Sequence, residues 1–114
     1  MNNGRTVEIP ESEGQNIAET IYDQLKATNR EIFEMLGVTK MVSAKDSLKL
    51  KLSGIQHINT IIIKLDEGRD LYDIEFWNCR ILNREPYIQN YLVTERKGIF
   101  WEEMAEVILR TVRQ

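Results

Sequence analysis

The hydrophobic and polar positions alternate in three consecutive runs between Ser47 and Cys79. Each run carries apolar side chains at every second position, and a period of two places alternate side chains on opposite faces of a β-strand. Two segments typical of turns, 53–59 and 67–70, separate the runs. The pattern therefore predicts a three-stranded antiparallel meander with one buried face and one open face.

The second and third strands also predict a register. Pairing Asp66 with Leu71 across the turn brings apolar residues together on the buried face and a lysine opposite an aspartate on the open face, which cross-strand pairing favours. The predicted pairs on the open face are Lys64 with Asp73 and Ile62 with Glu75, and those on the buried face are Ile63 with Ile74 and Leu65 with Tyr72.

Helical periodicity lies on both sides of these strands. Apolar residues recur at i, i+4 and i+8 from Ile17 to Leu25, which predicts an amphipathic helix that begins at about Gln15. A final helix is predicted from about Phe100 to Val112. Its expected buried stripe consists of Trp101, Met104, Ala105, Ile108 and Val112.

A second short helix is predicted before the strands. Thr28 and Glu31 have the spacing of a capping box, and Gly37 is placed to end the helix in a left-handed conformation. Its buried positions would be Ile32, Phe33 and Leu36. The alternation of Phe33 and Met35 is equally compatible with a strand, so the sequence leaves both readings open for residues 28–36.

The remaining segments complete the predicted architecture. Residues 1–14 are expected to be a flexible tail, with Val7 and Ile9 making a short edge contact, followed by a single domain over residues 15–114. Residues 38–46 lack a clear period, residues 80–90 read as an exposed connection, and residues 91–97 alternate weakly as an edge strand. The fold class is therefore α+β: a two-layer sandwich in which the N- and C-terminal helices pack on one face of an antiparallel, three- to four-stranded meander sheet.

Composition places the chain among soluble globular domains. With 114 residues, 42% apolar and 29% charged, one modest core is expected. The chain has no apolar run of about 20 residues and no apolar N-terminal segment, so neither a membrane span nor a secretory signal is predicted. Cys79 is the single cysteine, which favours a reducing compartment, and we expect a cytoplasmic protein.

Candidate chemistry is sparse. The single histidine, His57, and Cys79 match no zinc-site or nucleophile–base signature, and the six glycines form no phosphate-binding loop. Carboxylates do gather near the second turn, at Asp66, Glu67, Asp70 and Asp73. Because Arg69 and Lys64 lie beside them, we expect a neutralised surface turn rather than a cation site. The sequence thus predicts no enzyme, no metal site and no cofactor.

The open face of the predicted sheet is the strongest functional candidate. Residues 37–65 carry five lysines and one aspartate, a local balance of +4 in a chain with a net charge of −3. The predicted partner-binding residues on this face are Trp77, Ile62, Lys49, Lys51, Lys64 and Glu75. A protein partner, a nucleic acid and a second copy of the chain are all compatible with an aromatic ring among lysines, as is coverage by the N-terminal tail.

Several short motifs occur in a characteristic order along the chain. They are Gln24-Leu25, Asn29-Arg30, Phe33, Met35, Gly37 and Lys40, Ser47-Leu48 with Leu50 and Leu52, Ile58-Asn59, the run from Asp70 to Phe76, and Gly98-Ile99. Over residues 20–112 this order resembles a family of small uncharacterised proteins from bacteriophages and integrative mobile elements. The family has no agreed activity, so the resemblance assigns no functional residues. It implies an accessory protein that acts inside a bacterial host, which we expect to bind a host or phage protein such as a defence or DNA-processing factor.

Overall fold

The computed structural model describes residues 7–8, 13–53 and 57–113, with side chains described from Ile17 onward. The elements are β1 (Val7–Glu8), α1 (Glu13–Thr28), α2 (Ile32–Leu36), β2 (Val38–Ser43), β3 (Ser47–Leu52), β4 (Thr60–Asp66), β5 (Leu71–Ile81), β6 (Ile88–Ile99), a 3-10 turn (Trp101–Glu103) and α3 (Met104–Val112). Most of the predicted N-terminal tail lies outside the described residues, apart from β1 and the start of α1.

The strands form one open sheet in sequential order from β1 to β6. Each pair of neighbouring strands from β2 to β6 is antiparallel, whereas the two residues of β1 pair in parallel with β2. The α+β class is therefore confirmed. The expected strand number was too low, because five antiparallel strands are present, and α2 shows that the helices are not all terminal.

The predicted register of the β4–β5 hairpin is confirmed at every pair. Asp66 faces Leu71 across the turn, and the pairing continues without a shift to Thr60 and Trp77. The turn ends at Asp70, whose φ of 57° is left-handed. This register matters for function because a slip of one residue would exchange the buried and open faces of both strands.

One apolar core joins the helices to the inner face of the sheet. Ile21 and Leu25 of α1 are fully buried, and so are Met104 and Ile108 of α3. They pack with the inner residues of the sheet, which include Leu48, Leu50, Ile61, Ile63, Ile74 and Phe76. Each such side chain contributes about 1.5–3 kcal/mol by leaving water, so all three helices are held on the same face of the sheet.

The structure resolves the ambiguous segment as a helix and corrects its start. Gly37 ends α2 with a φ of 71°, as predicted. The predicted capping box is wrong, because the Thr28 hydroxyl donates back to the carbonyls of its own helix α1. The Asn29 side chain instead accepts a hydrogen bond from the Glu31 amide at 3.0 Å.

Three further expectations are corrected. Residues 38–43, read as irregular, form β2, in which Met41 is buried. Trp101 was expected in the buried stripe of the last helix, but it lies in the 3-10 turn before α3 and is 38% exposed. The segment 80–90 was expected to be a connection. Instead β5 extends to Ile81 and β6 begins at Ile88, which leaves only residues 82–87 between them.

Candidate functional site: the open face of the sheet

The register of the strands brings all six predicted partner-binding residues onto one face. The helices cover the other face, where Leu50, Ile63 and Ile74 are buried. Two rows of paired residues cross the open face. One runs through Val42, Lys49, Ile62, Glu75 and Glu95, and the other through Lys40, Lys51, Thr60, Trp77 and Leu92. Lys64 lies beside these rows, opposite Asp73. We call this set, with Lys64 and Asp73, the open face.

Glu75 is the organising residue of the open face. Its carboxylate accepts a hydrogen bond from the indole Nε1 of Trp77 at 3.0 Å through one oxygen. The other oxygen accepts a charge-assisted bond from Lys64 Nζ at 3.1 Å. The side chain of Glu75 is only 20% exposed, so its bond to the indole is partly shielded from water, whereas the Lys64 side chain is 47% exposed. Glu75 therefore orients the Trp77 ring and pairs with the Lys64 ammonium at the surface.

The free positive charge lies on the opposite side of the open face. Lys40, Lys49 and Lys51 come from β2 and β3, and among the described side chains none of them has a carboxylate within 4.0 Å. The acidic residues of the face, in contrast, belong to β5 and β6. The open face thus has a basic half and a partly neutralised acidic half, with Ile62 and Trp77 at their boundary.

Asn59 fixes the end of β5 that carries Trp77. Its amide side chain imitates a backbone peptide unit: Nδ2 donates to the Cys79 carbonyl at 2.8 Å, and Oδ1 accepts from the Cys79 amide at 2.9 Å. Its own backbone amide donates to the Trp77 carbonyl at 3.0 Å. The β4–β5 ladder therefore continues past Thr60, which is why Trp77 has an ordered backbone on both sides.

Sequence reasoning missed a second group of surface residues. The β5–β6 hairpin exposes apolar side chains, in part from the segment predicted as a connection and in part from the predicted edge strand; they are Ile81, Tyr87, Ile88, Tyr91 and Leu92, between 45% and 88% exposed. A signal for them does exist, because residues 86–94 contain no charged residue. Exposed apolar residues on an uncharged segment are typical of contact surfaces.

The other candidates from the sequence gain no support as sites. His57 is exposed, Cys79 is half-buried, and no group of three or more metal-ligating side chains gathers within the described part of the chain. At the second turn Arg69 bonds Asp66 at 2.8 Å. This hydrogen bond holds the pKa of the Asp66 carboxyl below its ordinary value. A groove of about 610 Å³ next to α1 and α3 is lined by Glu106 and Arg110, which form an ion pair along α3.

None of the helices in the described residues combines the length and apolar character that crossing a bilayer requires. No family model, curated protein or solved structure matches this chain. The geometry of the surface itself is therefore the basis for the function proposed below.

Proposed function

We propose that this chain is a small accessory protein of a bacteriophage or integrative mobile element, and that it acts in the bacterial cytoplasm by binding a host or phage protein through the open face. Interference with a defence or DNA-processing factor is the expected consequence. The origin and the cellular setting rest on the sequence resemblance. The mode of action rests on one observation: Trp77 and Ile62 are partly exposed on a face where Lys49 and Lys51 have no described acidic partners.

The physical case begins with Trp77. Tryptophan is the residue type most enriched among interface residues that dominate binding energy, and its contribution is largest when its rotamer is already fixed in the free protein. The bond from Nε1 to Glu75 provides that fixation. Ile62, opposite Glu75, and Trp77, opposite Thr60, lie diagonally across the β4–β5 pair, so the partner would meet a short strip formed by these two apolar side chains.

The charges around this strip define the partner's chemistry. Lys49 and Lys51 flank it on the β3 side and have no described acidic partner, whereas the ammonium of Lys64 is already paired with Glu75. A complementary partner would therefore present an apolar pocket for the indole and acidic side chains next to that pocket. Electrostatic matching of this kind mainly sets the association rate and the specificity.

Affinity capture from bacterial lysate with matched variants tests the proposal. Trp77→Ala and Lys51→Glu change the open face, while Lys26→Glu makes the same charge change on α1, in the other layer. Circular dichroism confirms that each variant is folded. We expect both open-face variants to lose a captured protein, by at least tenfold for Trp77→Ala, and Lys26→Glu to retain it. Equal capture by all three variants would show that the open face is not the contact surface.

Nucleic-acid binding is the second candidate, and one observation favours it. Lys40, Lys49 and Lys51 form a cluster without described carboxylate partners, next to an aromatic ring on which a base can stack. Binding by phosphate contacts predicts an affinity that falls steeply with added salt. Titration of a labelled single-stranded oligonucleotide at low salt measures it, and no binding at low salt would exclude this function.

A further inference from the structure

The strand β6 forms an edge of the sheet that no described residue covers. It is 12 residues long, and β5 is the strand with which it pairs. Long uncovered edges invite pairing with another strand, and natural proteins usually protect them with charged residues, proline or short strands. In β6 the charged residues are confined to positions 95–97, so the part of the edge from Ile88 to Thr94 has no such protection.

The direction of the backbone groups along this edge follows from three hydrogen bonds. The Leu82 amide donates to the Tyr87 carbonyl, which makes 82 and 87 a hydrogen-bonded pair. The amide and carbonyl of Cys79, the residue opposite Asn90, are both directed towards Asn59. Since hydrogen-bonded and non-hydrogen-bonded pairs alternate in an antiparallel ladder, the backbone groups of Ile88, Asn90 and Leu92 are directed away from β5, towards the open edge.

We propose that a second copy of this chain occupies this edge, with β6 pairing antiparallel to β6 of the other copy about a two-fold axis at Asn90. In this register Ile88 lies opposite Leu92 of the second copy, and Leu92 lies opposite its Ile88. These pairs place apolar side chains together on the open face and provide about six backbone hydrogen bonds. The interface is isologous, as in most homodimers.

The alternative centres of symmetry along the same edge are less favourable. An axis at Ile88 would place Asn90 opposite Pro86, which has no N–H to donate. An axis at Leu92 would place Ile88 opposite Arg96 and would cross the bulge between Leu92 and Thr94. Of these three axes, the one at Asn90 places apolar opposite apolar on the open face and keeps all charged residues out of the contact. This self-complementarity favours a second copy over an unrelated strand.

The dimer would join the sheets of the two copies into one continuous sheet. The two open faces would then lie side by side, and Ile88 would lie beside Leu92 of the second copy. The inference does not depend on the function proposed above, because it concerns the edge of the sheet rather than the binding of a partner on its face.

Sedimentation equilibrium of the whole chain tests this proposal. The expected mass is twice the 13.4 kDa of one chain at high concentration, with dissociation on dilution. Leu92→Lys would place a charge opposite Ile88 at both ends of the contact and should give a monomer. Met35→Lys is the matched control, because Met35 is exposed to the same degree, 47% against 45%, and lies on α2. This control should remain dimeric.

Two further measurements locate the contact. Asn90→Pro removes an amide directed at the edge rather than at β5, so the variant should fold and be monomeric. In the wild-type chain, the amides of Ile88, Asn90 and Leu92 should become protected from hydrogen exchange as the concentration rises, while those of Gln89 and Tyr91 are protected throughout. A chain that stays monomeric up to about 1 mM, or a dimer that survives Leu92→Lys and leaves these amides unprotected, would overturn the proposal.

Discussion

Replacing Asn59 with alanine should weaken the sheet at the point where β5 extends beyond β4. The change removes both bonds to the Cys79 backbone, at 2.8 and 2.9 Å, and leaves that amide and carbonyl without their partner. A hydrogen bond contributes about 0.5–1.5 kcal/mol net, so losing the pair should lower the free energy of unfolding by about 2 kcal/mol. Because Trp77 lies next to this segment, the loss also loosens the backbone that carries its ring.

Urea unfolding followed by circular dichroism measures this effect. With a denaturant dependence of about 1–3 kcal/mol per molar, a loss of about 2 kcal/mol lowers the midpoint by about 1 M. Asn83→Ala is the matched control, because Asn83 is exposed and no described contact involves its side chain. It should change the stability by less than about 0.5 kcal/mol. If Asn59→Ala shifted the midpoint no more than this control, the bonds to Cys79 would not be structurally important.

Two other predictions concern stability. Gly37→Ala should destabilise the protein by about 1–3 kcal/mol in the same urea assay, because the φ of Gly37 is +71° and a new Cβ would lie 2.9 Å from Ser53 Oγ. Gly68→Ala is the control and should be nearly neutral, because the nearest atom to a new Cβ there is 3.5 Å away. Burial raises the pKa of the Tyr72 hydroxyl, which donates to Gln24 at 2.7 Å. The folded state therefore holds this proton more tightly, so stability should fall as the pH rises above about 10, and Tyr72→Phe should show a smaller fall in unfolding experiments across that range.

The β4–β5 hairpin was predictable because its two faces differ so strongly. Its core positions, such as Ile63 and Ile74, are apolar, and Lys64 and Asp73 mark the other face. Only one register satisfies both faces at once, and the glycine-containing turn has a length that agrees with it. Together with the alternation in β3, this register brought Trp77, Lys49 and Lys51 onto one surface, so the composition of the candidate site was predictable although its contacts were not.

The missed strands show where this kind of reasoning ends. In β2 a bulge between Val38 and Lys40 interrupts the alternation, and only Met41 is buried, so the apolar period is too short to be recognised. At the far end of β5 and β6, Ile81 and Ile88 extend beyond the core, and neither face is covered. Alternation of apolar and polar residues indicates that one face of a strand is buried. Because neither face is buried around Ile81 and Ile88, the sequence did not indicate that β5 and β6 remain paired there.

The two hydrogen bonds of the Glu75 carboxylate, to Trp77 and to Lys64, allow an experiment that distinguishes the two functions proposed for the open face. Glu75→Gln preserves the shape of the side chain but removes the charge that holds both Trp77 and Lys64. If a protein partner depends on the fixed indole, its affinity should fall several-fold in calorimetry or in quantitative capture. If a nucleic acid is bound, the loss of one negative charge and the release of Lys64 should strengthen binding. The slope of log affinity against log salt concentration should also become steeper, by about one released ion. The same substitution thus weakens binding in one case and strengthens it in the other, so the result distinguishes the two functions. No change in affinity in either assay would mean that the contact surface lies elsewhere.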